Sequence, residues 1–180
     1  MLRLIANSYI QRKTHMSFCA TPYDTSKPFF FFDDLDSLEK KKTKYDVEEV
    51  ELHYEGDDDT HIALFKHCGV TCVNFEEYVE FVESLSYPSE IVALMYLVDD
   101  LNYTLEDAKG KLEDVCVYPG NAEDYTYDHI SDCYDLEKMM GNLAHYFNYE
   151  ALERDLKING DICEVEFANE TFTITNANCI

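Results

Sequence analysis

Acidic side chains dominate this sequence, and their number limits both what the chain can fold into and what it can bind. The 180 residues contain 37 Asp and Glu against 14 Lys and Arg, which gives a formal charge of −23. Such a surface repels phosphate backbones and anionic lipids, which excludes direct binding to nucleic acids and to membranes. Hydrophobic residues still make up 46% of the chain, so the sequence predicts folded cores rather than a disordered acidic tail.

The sequence lacks the segments that would place it in or across a membrane. No apolar run reaches the roughly 18–20 residues that a transmembrane helix needs. The N-terminal segment has no basic region before its short apolar stretch and no small-residue cleavage site, so it does not resemble an export signal. The seven cysteines are an odd number in a chain without such a signal, which predicts reduced thiols. We therefore expect a cytoplasmic protein.

The charge is unevenly distributed along the chain, and the distribution predicts three domains. Residues 1–73 carry a net charge of −4, whereas residues 74–120 carry −9 and residues 121–180 carry −10. Apolar alternation predicts an antiparallel α+β domain in the first section, and helical periodicity predicts an acidic helical bundle in the second. The third section is predicted to be α+β with a C-terminal hairpin. The predicted fold class is therefore α+β, as an elongated chain of three small domains.

Apolar spacing also predicts the individual elements. Strands are expected at 2–6, 16–20 and 50–54, helices at 75–85, 91–101, 105–115, 136–147 and 149–156, and a hairpin over 164–174. A further helix at 33–44 is predicted by the order of its charges, with acids in the first turns and lysines near the end. Asn74 and Glu77 predict a capping box at the start of the helix 75–85. The aromatic run Phe29–Phe32 is predicted to face inward, with an exposed apolar patch as the alternative.

Carboxylates recur at spacings of three and four residues in the predicted helices. Neighbours at these spacings lie about 5–6 Å apart at their Cβ atoms, which is comparable to the separation of phosphates along a DNA strand. Dense charge of one sign opposes folding, because two charges about 6 Å apart repel by about 0.7 kcal/mol even in water. The charge is therefore either an adaptation to high salt or is kept for a partner that binds DNA phosphates. The candidate phosphate-mimicking residues are Glu76, Glu80, Glu83, Asp99, Asp100, Glu106, Asp107, Glu113, Asp114, Glu123, Asp124, Asp128, Asp132, Asp135 and Glu137.

No motif for catalysis or for a cofactor stands out. Walker, Rossmann, zinc-protease and nucleophile-elbow patterns are absent, so neither an enzyme nor a cofactor is predicted. His61, His67, Cys68 and Cys72 are ligand types suited to zinc, but the second cysteine pair of a zinc site is missing. A small metal-dependent enzyme is left as an alternative.

Several segments of the chain are similar to those of one protein family. The segment Asn148–Asp161, NYEALERDLKINGD, is similar to that family's C-terminal signature, whose positions are occupied by Tyr146, Tyr149, Arg154, Asp155, Leu156 and Gly160. Glu48–Asp57, EEVELHYEGD, is similar to the end of the family's first domain, and residues 2–20 to its first two strands. Tyr103–Asp114 is similar to the acidic helix of the second domain, and Tyr127–Tyr134 to the entry of the third. In these segments the chain resembles the ArdA family of antirestriction proteins, which are acidic DNA mimics of phages and mobile elements.

The resemblance implies a homodimer, joined through the third domain, that binds a Type I restriction–modification enzyme where its DNA should lie. Two departures from the family concern the target: the segment between Asp135 and Tyr146 is shorter, and Lys40–Lys42 add positive charge to the first domain. Another DNA-binding defence nuclease, including a CRISPR effector, therefore stays open as the target. An acidic chaperone or binding module for basic DNA-binding proteins is the alternative function.

Overall fold

The computed structural model describes residues 17–56 and 59–180. Within these residues helices are combined with antiparallel sheets, which confirms the α+β class. The chain divides into two compact units, residues 1–109 and 110–180. The arrangement of three domains, with boundaries after residues 73 and 120, stays a prediction. Among the described residues, no helix combines the length and the apolar character that crossing a membrane requires.

The first unit contains an antiparallel sheet in the order β2-β1-β3. Its strands are β1 (Ser17–Pro22), β2 (Phe30–Phe32) and β3 (Val50–Glu55). Phe30 and Phe32 are buried, but Phe29 and Phe31 are 60% and 50% exposed. The predicted inward-facing run therefore faces inward only at alternate positions, because successive strand side chains point to opposite sides of a sheet. The predicted strand at 2–6 lies outside the described residues.

Helices complete the first unit. They are α1 (Leu35–Tyr45), α2 (Asp59–His67), α3 (Phe75–Ser84), α4 (Pro88–Met95), its π-helical continuation Tyr96–Asp100, and α5 (Leu105–Lys111), whose last residues enter the second unit. Asp34 begins α1, because its side chain accepts a hydrogen bond from the Ser37 N–H and satisfies a donor that the helix leaves unpaired. The apolar spacing predicts most of these helices but not α2.

An aromatic core joins the first sheet to α2 and α3. The Phe18 ring lies 5.6 Å from the Phe65 ring and 4.7 Å from the Phe75 ring, centroid to centroid. Phe65 in turn meets Tyr78 edge-on at 5.2 Å. Phe18, Phe75 and Tyr78 are each at most 2% exposed. Side chains from before and after residue 73 thus share one core, which is why both belong to the same compact unit.

The start of α3 differs from the predicted capping box. The Asn74 side chain accepts a 2.7 Å hydrogen bond from the Thr71 N–H and does not cap α3. Glu77, expected to reach back to Asn74, instead pairs with Lys109 at 2.7 Å. The capping-box prediction was wrong because Asn74 and Glu77 are engaged by other partners, Thr71 and the sequence-distant Lys109.

The second unit is built around a sheet in the order β4-β6-β5. Its elements are β4 (Val117–Tyr118), α6 (Ala122–Cys133), α7 (Leu136–Met140), the 3-10 helix Gly141–Tyr146, α8 (Tyr149–Ile158), β5 (Cys163–Phe167) and β6 (Glu170–Ile174). The inward residues of β5 and β6, among them Val165 and Phe172, are buried as the alternation predicts. The predicted C-terminal hairpin is confirmed.

The helix predicted over 136–147 is interrupted in its middle. α7 ends at Gly141, which adopts a φ of 57°, and the chain continues as a 3-10 helix. This left-handed conformation favours glycine and breaks the helical register. Met139 and Leu143 are 67% and 62% exposed, because the two segments do not share one helical stripe. The prediction of one continuous helix over 136–147 was therefore wrong.

Candidate functional site

All fifteen carboxylates predicted to mimic phosphates are exposed to solvent. They lie on helices, on the short 3-10 segment Leu112–Asp114 or at a helix N-cap. The first unit carries Glu76, Glu80, Glu83, Asp99, Asp100, Glu106 and Asp107. The second unit carries Glu113, Asp114, Glu123, Asp124, Asp128, Asp132, Asp135 and Glu137. Each unit therefore presents its own acidic surface.

Helix α3 is amphipathic. Its buried side carries Phe75, Tyr78 and Val82, and its exposed side carries Glu76, Glu80 and Glu83. Spacings of four and three residues place these glutamates on one side of the helix, with neighbouring Cβ atoms about 5–6 Å apart. The last turn of α3 contains no basic residue, so its C-terminal charge is not offset within the helix.

Asp99 has a partner within the first unit. Its Oδ1 lies 2.9 Å from His67 Nδ1, so the side chain links the π-helical segment to α2. Asp99 therefore already has a partner inside the first unit. Partial burial, and secondarily the charge of Asp99, raises the pKa of Asp100.

Lys109 is used inside the fold rather than displayed as a surface cation. Its Nζ lies 2.7 Å from Glu77 Oε1 and 4.9 Å from the centroid of the Phe81 ring. These contacts tie α5, which carries Glu106 and Asp107, to α3. The lysine thus fixes one acidic helix against another while it pairs with a carboxylate outside the predicted set.

Helix α6 carries a regular row of charge in the second unit. Asp124, Asp128 and Asp132 follow each other at intervals of four residues and are all exposed. The opposite side of the helix is buried through Ala122, Thr126 and Ile130. The Asn121 side chain caps the helix by accepting a 2.8 Å hydrogen bond from the Asp124 N–H. Because the last turn holds no basic residue, the row is uncompensated along its helix.

Tyr118 is a site residue that the sequence did not reveal. From β4, its hydroxyl donates a 2.6 Å hydrogen bond to Asp128 Oδ2, in the centre of the α6 row. This hydrogen bond, followed by burial and the charges of the three aspartates, raises the pKa of Tyr118 to about 12. The phenol therefore stays protonated at neutral pH and orients the Asp128 carboxylate. Tyr118 and Asp128 are ten residues apart and lie on different elements, so no helix or strand periodicity predicts their contact.

An open depression of about 560 Å³ lies beside the end of α6. Its lining includes the carboxylates of Asp132, Asp135 and Glu137 and the rings of Tyr134 and Tyr149. Asp135 also caps α7 by accepting a 3.0 Å hydrogen bond from the Lys138 N–H. Carboxylates beside aromatic rings suit lysine or arginine side chains, because both groups attract cations.

The four candidate zinc ligands take other roles. His67 pairs with Asp99, and the His61 ring stacks on Tyr54 with centroids 5.9 Å apart. Burial raises the pKa of Cys68 to about 12, so its thiol is not a ready ligand. Cys72 is half-buried. Within residues 17–56 and 59–180, no three His, Cys, Asp or Glu side chains are grouped to hold a metal ion.

The residues of the C-terminal signature shape α8 and its ends. The Tyr149 ring packs on Phe147 at 4.8 Å and on Tyr127 of α6 at 5.2 Å. Gly160, with a φ of 75°, ends α8: its N–H bonds to the Lys157 carbonyl, and the next N–H bonds to the Leu156 carbonyl.

Three other signature residues, Tyr146, Arg154 and Asp155, lie on the surface of the helix or just before it, and Leu156 is half-buried. Arg154 is exposed and lies 3.6 Å from Asp155, an interaction too open to water to add much stability. Tyr146 is 82% exposed. The side chains of these three residues are exposed to solvent rather than packed in the core.

Comparisons with known proteins identify the family. The family model described as Antirestriction protein (ArdA) matches residues 12–170. Neither the curated proteins nor the solved structures contain a match to this chain. Antirestriction proteins of this family are inhibitors that interact with restriction enzymes, and the family is not one of enzymes. The chain, matched over most of its 180 residues, belongs to the ArdA family of antirestriction proteins.

Proposed function

We propose that this protein blocks a Type I restriction–modification enzyme by occupying the channel in which that enzyme binds DNA. The fifteen exposed carboxylates are its phosphate mimics. The observation that carries the proposal is the row of Asp124, Asp128 and Asp132, exposed at regular intervals on one helix without a basic residue in its last turn. The protein acts in the cytoplasm of a bacterial host, where restriction enzymes meet incoming DNA.

The protein competes with DNA for the lysine and arginine side chains of the enzyme's DNA-binding channel. A DNA-binding channel neutralises phosphates with lysine and arginine and releases the counterions of DNA. A folded chain of charge −23 offers carboxylates to the same cations, so DNA and inhibitor exclude each other. Each exposed pair contributes about 0–1 kcal/mol, and tight binding requires many of them at once. Inhibition is therefore stoichiometric and needs neither turnover nor a cofactor.

The active form is a homodimer. Two copies of so acidic a chain repel each other, and they make contact most readily where carboxylates are missing. Residues 139–149 contain no Asp or Glu, yet Met139, Leu143 and Tyr146 are 67%, 62% and 82% exposed. An apolar surface without charge fits a second copy better than it fits a basic DNA channel.

Solution mass tests the dimer. Light scattering after gel filtration should give twice the 21.0 kDa of one chain. Leu143→Asp should give monomers, because it introduces a charge into the apolar contact. Val73→Asp is the matched control, since Val73 is 95% exposed in the first unit and should leave the mass unchanged. A wild-type monomer at micromolar concentration would contradict the dimer while leaving the mimicry open.

Cleavage by a purified Type I enzyme tests the main proposal. Increasing amounts of the protein should abolish cleavage and DNA binding at a ratio of one or two chains per enzyme. Added DNA should reverse the inhibition, and the inhibition should weaken with salt because the contacts are ionic. A Type II restriction enzyme in the same buffer is the control for nonspecific binding to basic side chains, and its cleavage should not be inhibited. Full inhibition that excess DNA cannot reverse would refute competition for the channel.

Two other outcomes would favour the alternatives. Tight inhibition of a different DNA-binding defence nuclease, with Type I cleavage unaffected, would keep the mimicry and change the target. Loose binding to many basic DNA-binding proteins, without inhibition of any nuclease, would favour an acidic chaperone. The pattern of binding therefore separates the three functions.

A further inference from the structure

Basic residues are scarce in the acidic part of the chain. Residues 74–180 hold five Lys and Arg against 24 Asp and Glu. One of the five, Lys157, contacts two carboxylates at once: its Nζ lies 2.8 Å from Glu153 Oε1 and 2.8 Å from Glu164 Oε2. Glu153 lies four residues before Lys157 on α8, in the order that favours an ion pair on a helix. Glu164 lies on β5, so the lysine joins the helix to the strand.

Glu164 continues this chain of contacts to the acidic helix α6. Its second oxygen, Oε1, accepts a 2.8 Å hydrogen bond from the N–H of Ala122, the first residue of α6. The first N–H groups of a helix have no partner inside the helix, and a negative charge there is favoured by the helix dipole. Ala122 itself is fully buried. The start of α6 is thus bound to β5 by a carboxylate whose other oxygen is held by Lys157.

The electrostatics of Glu164 agree with this role. Partial burial alone would raise the pKa of Glu164, but the hydrogen bonds from Lys157 and the Ala122 N–H outweigh it and hold the pKa below its usual value. Hydrogen bonds to Glu153 and Glu164 raise the pKa of Lys157. Both groups are therefore charged at neutral pH.

We infer that Lys157 and Glu164 are positioning residues, which fix helix α6 so that its row of carboxylates keeps one place relative to the C-terminal sheet. The inference rests on the proposed function, because it assigns the fixed position a use in binding the nuclease. Unlike the aspartates of the row, neither residue needs to touch the partner.

The geometry makes the position of the helix start important. Twelve residues of α6 span about 18 Å, so a tilt of about 10° about one end displaces the other by about 3 Å. That displacement is about half the 5–6 Å between neighbouring carboxylates. A helix released from Glu164 therefore presents its charges out of register with a rigid set of cations.

A pair of lysine variants tests the inference. Lys157→Gln and Lys138→Gln remove the same charge from the same unit, but the described residues provide no ion pair for the Lys138 side chain. In the full-length protein, hydrogen exchange of the Ala122 amide should accelerate about tenfold or more in Lys157→Gln and stay unchanged in Lys138→Gln. Lys157→Arg should restore the wild-type rate, because it keeps the charge and the donors.

Inhibition of a Type I enzyme provides the second readout. Lys157→Gln should inhibit several-fold more weakly although it is more negative, and the salt dependence of its inhibition should flatten because fewer carboxylates bind in register. A simple loss of folded protein would lower the potency and leave the salt dependence unchanged. Lys138→Gln should inhibit at least as well as the wild type.

The outcomes separate this inference from the proposed function. Equal exchange at Ala122 in the two variants would overturn it, and so would faster exchange with unchanged inhibition. If Lys157→Gln does not fold, Glu164→Gln provides the same test, because it keeps an acceptor for the Ala122 N–H and loses the charge that holds Lys157. A wild-type protein that inhibits no Type I enzyme would refute the proposed function, and the exchange rates would still decide whether Lys157 fixes α6.

Discussion

Two aspartates at opposite ends of α6 allow charge kept for a partner to be distinguished from charge that supports the fold. Asp124 lies in the first turn of the helix and Asp132 in its last turn, and each lies four residues from Asp128. Both are exposed. We therefore compare Asp124→Asn with Asp132→Asn, which remove the same charge.

Two terms set the stability of each variant. Repulsion by Asp128 at about 6 Å is about 0.7 kcal/mol in water and about 0.3 kcal/mol after screening over about 8 Å, and either change relieves it. The helix dipole adds about 0.3–1 kcal/mol, in favour of a negative charge in the first turn and against one in the last. Asp132→Asn should therefore stabilise the protein by about 1 kcal/mol, whereas Asp124→Asn should be neutral or destabilise it by up to about 0.7 kcal/mol.

Urea unfolding followed by circular dichroism measures the difference. Repulsion cancels between the two variants, so the free energies of unfolding should differ by the two dipole contributions, about 0.6–2 kcal/mol. Inhibition should behave differently, because each variant loses one exposed contact worth about 0–1 kcal/mol and so weakens by up to about fivefold. If inhibition follows stability, improving in Asp132→Asn and failing in Asp124→Asn, the carboxylates do not act as phosphate mimics. A destabilised Asp132→Asn would refute the dipole argument.

Three further predictions follow from buried or hydrogen-bonded groups. Folding raises the pKa of Tyr118 from 10.0 to about 12, so its contribution to stability should be complete below pH 10 and disappear as the pH rises towards 12; ultraviolet titration of Tyr118→Phe should lose one tyrosine transition near pH 12. At pH 8 the Cys68 thiol should resist alkylation while the exposed Cys116 reacts, as mass spectrometry of the labelled protein would show. Phe75→Ala should destabilise the first unit by about 3–5 kcal/mol, and hydrogen exchange should accelerate in β1 as well as in α3, because the two share one core; acceleration confined to α3 would contradict that shared core.

Elements with strong apolar periodicity could be predicted from the sequence. Helix α3 occupies Phe75–Ser84, close to the predicted 75–85, because its inward residues recur at helical intervals. The hairpin of β5 and β6 was equally clear from the alternation of apolar residues with glutamates and threonines. The exposure of the fifteen carboxylates also follows from sequence, since carboxylates are rarely buried without partners.

The helices α2 and α6 were not predicted, and for α6 the physical reason lies in its buried side. The buried residues of α6 are Ala122, Thr126 and Ile130. Alanine is small and threonine is polar, so the helix shows almost no apolar periodicity in the sequence. Contacts between distant residues were also beyond reach: Glu77 and Lys109 are 32 positions apart, and either residue had closer partners along the chain. The exposed carboxylates could thus be predicted from the sequence, but their partners, such as Lys109 for Glu77 and the Tyr118 hydroxyl for Asp128, could not.

The position of a carboxylate along its helix determines whether the stability of the fold can account for its charge. Glu76, Glu106 and Glu123 lie in first turns, where the helix dipole favours negative charge and the fold itself accounts for them. An acid in the last turn of a helix opposes the dipole, and Asp132 lies in the last turn of α6, which contains no basic residue. Folding gives no reason to keep a charge there, and a favourable alternative, lysine or arginine, is available to any sequence. Last-turn acids are therefore the positions that argue most strongly for a basic partner, and a neutralised last turn should strengthen the fold while it weakens inhibition.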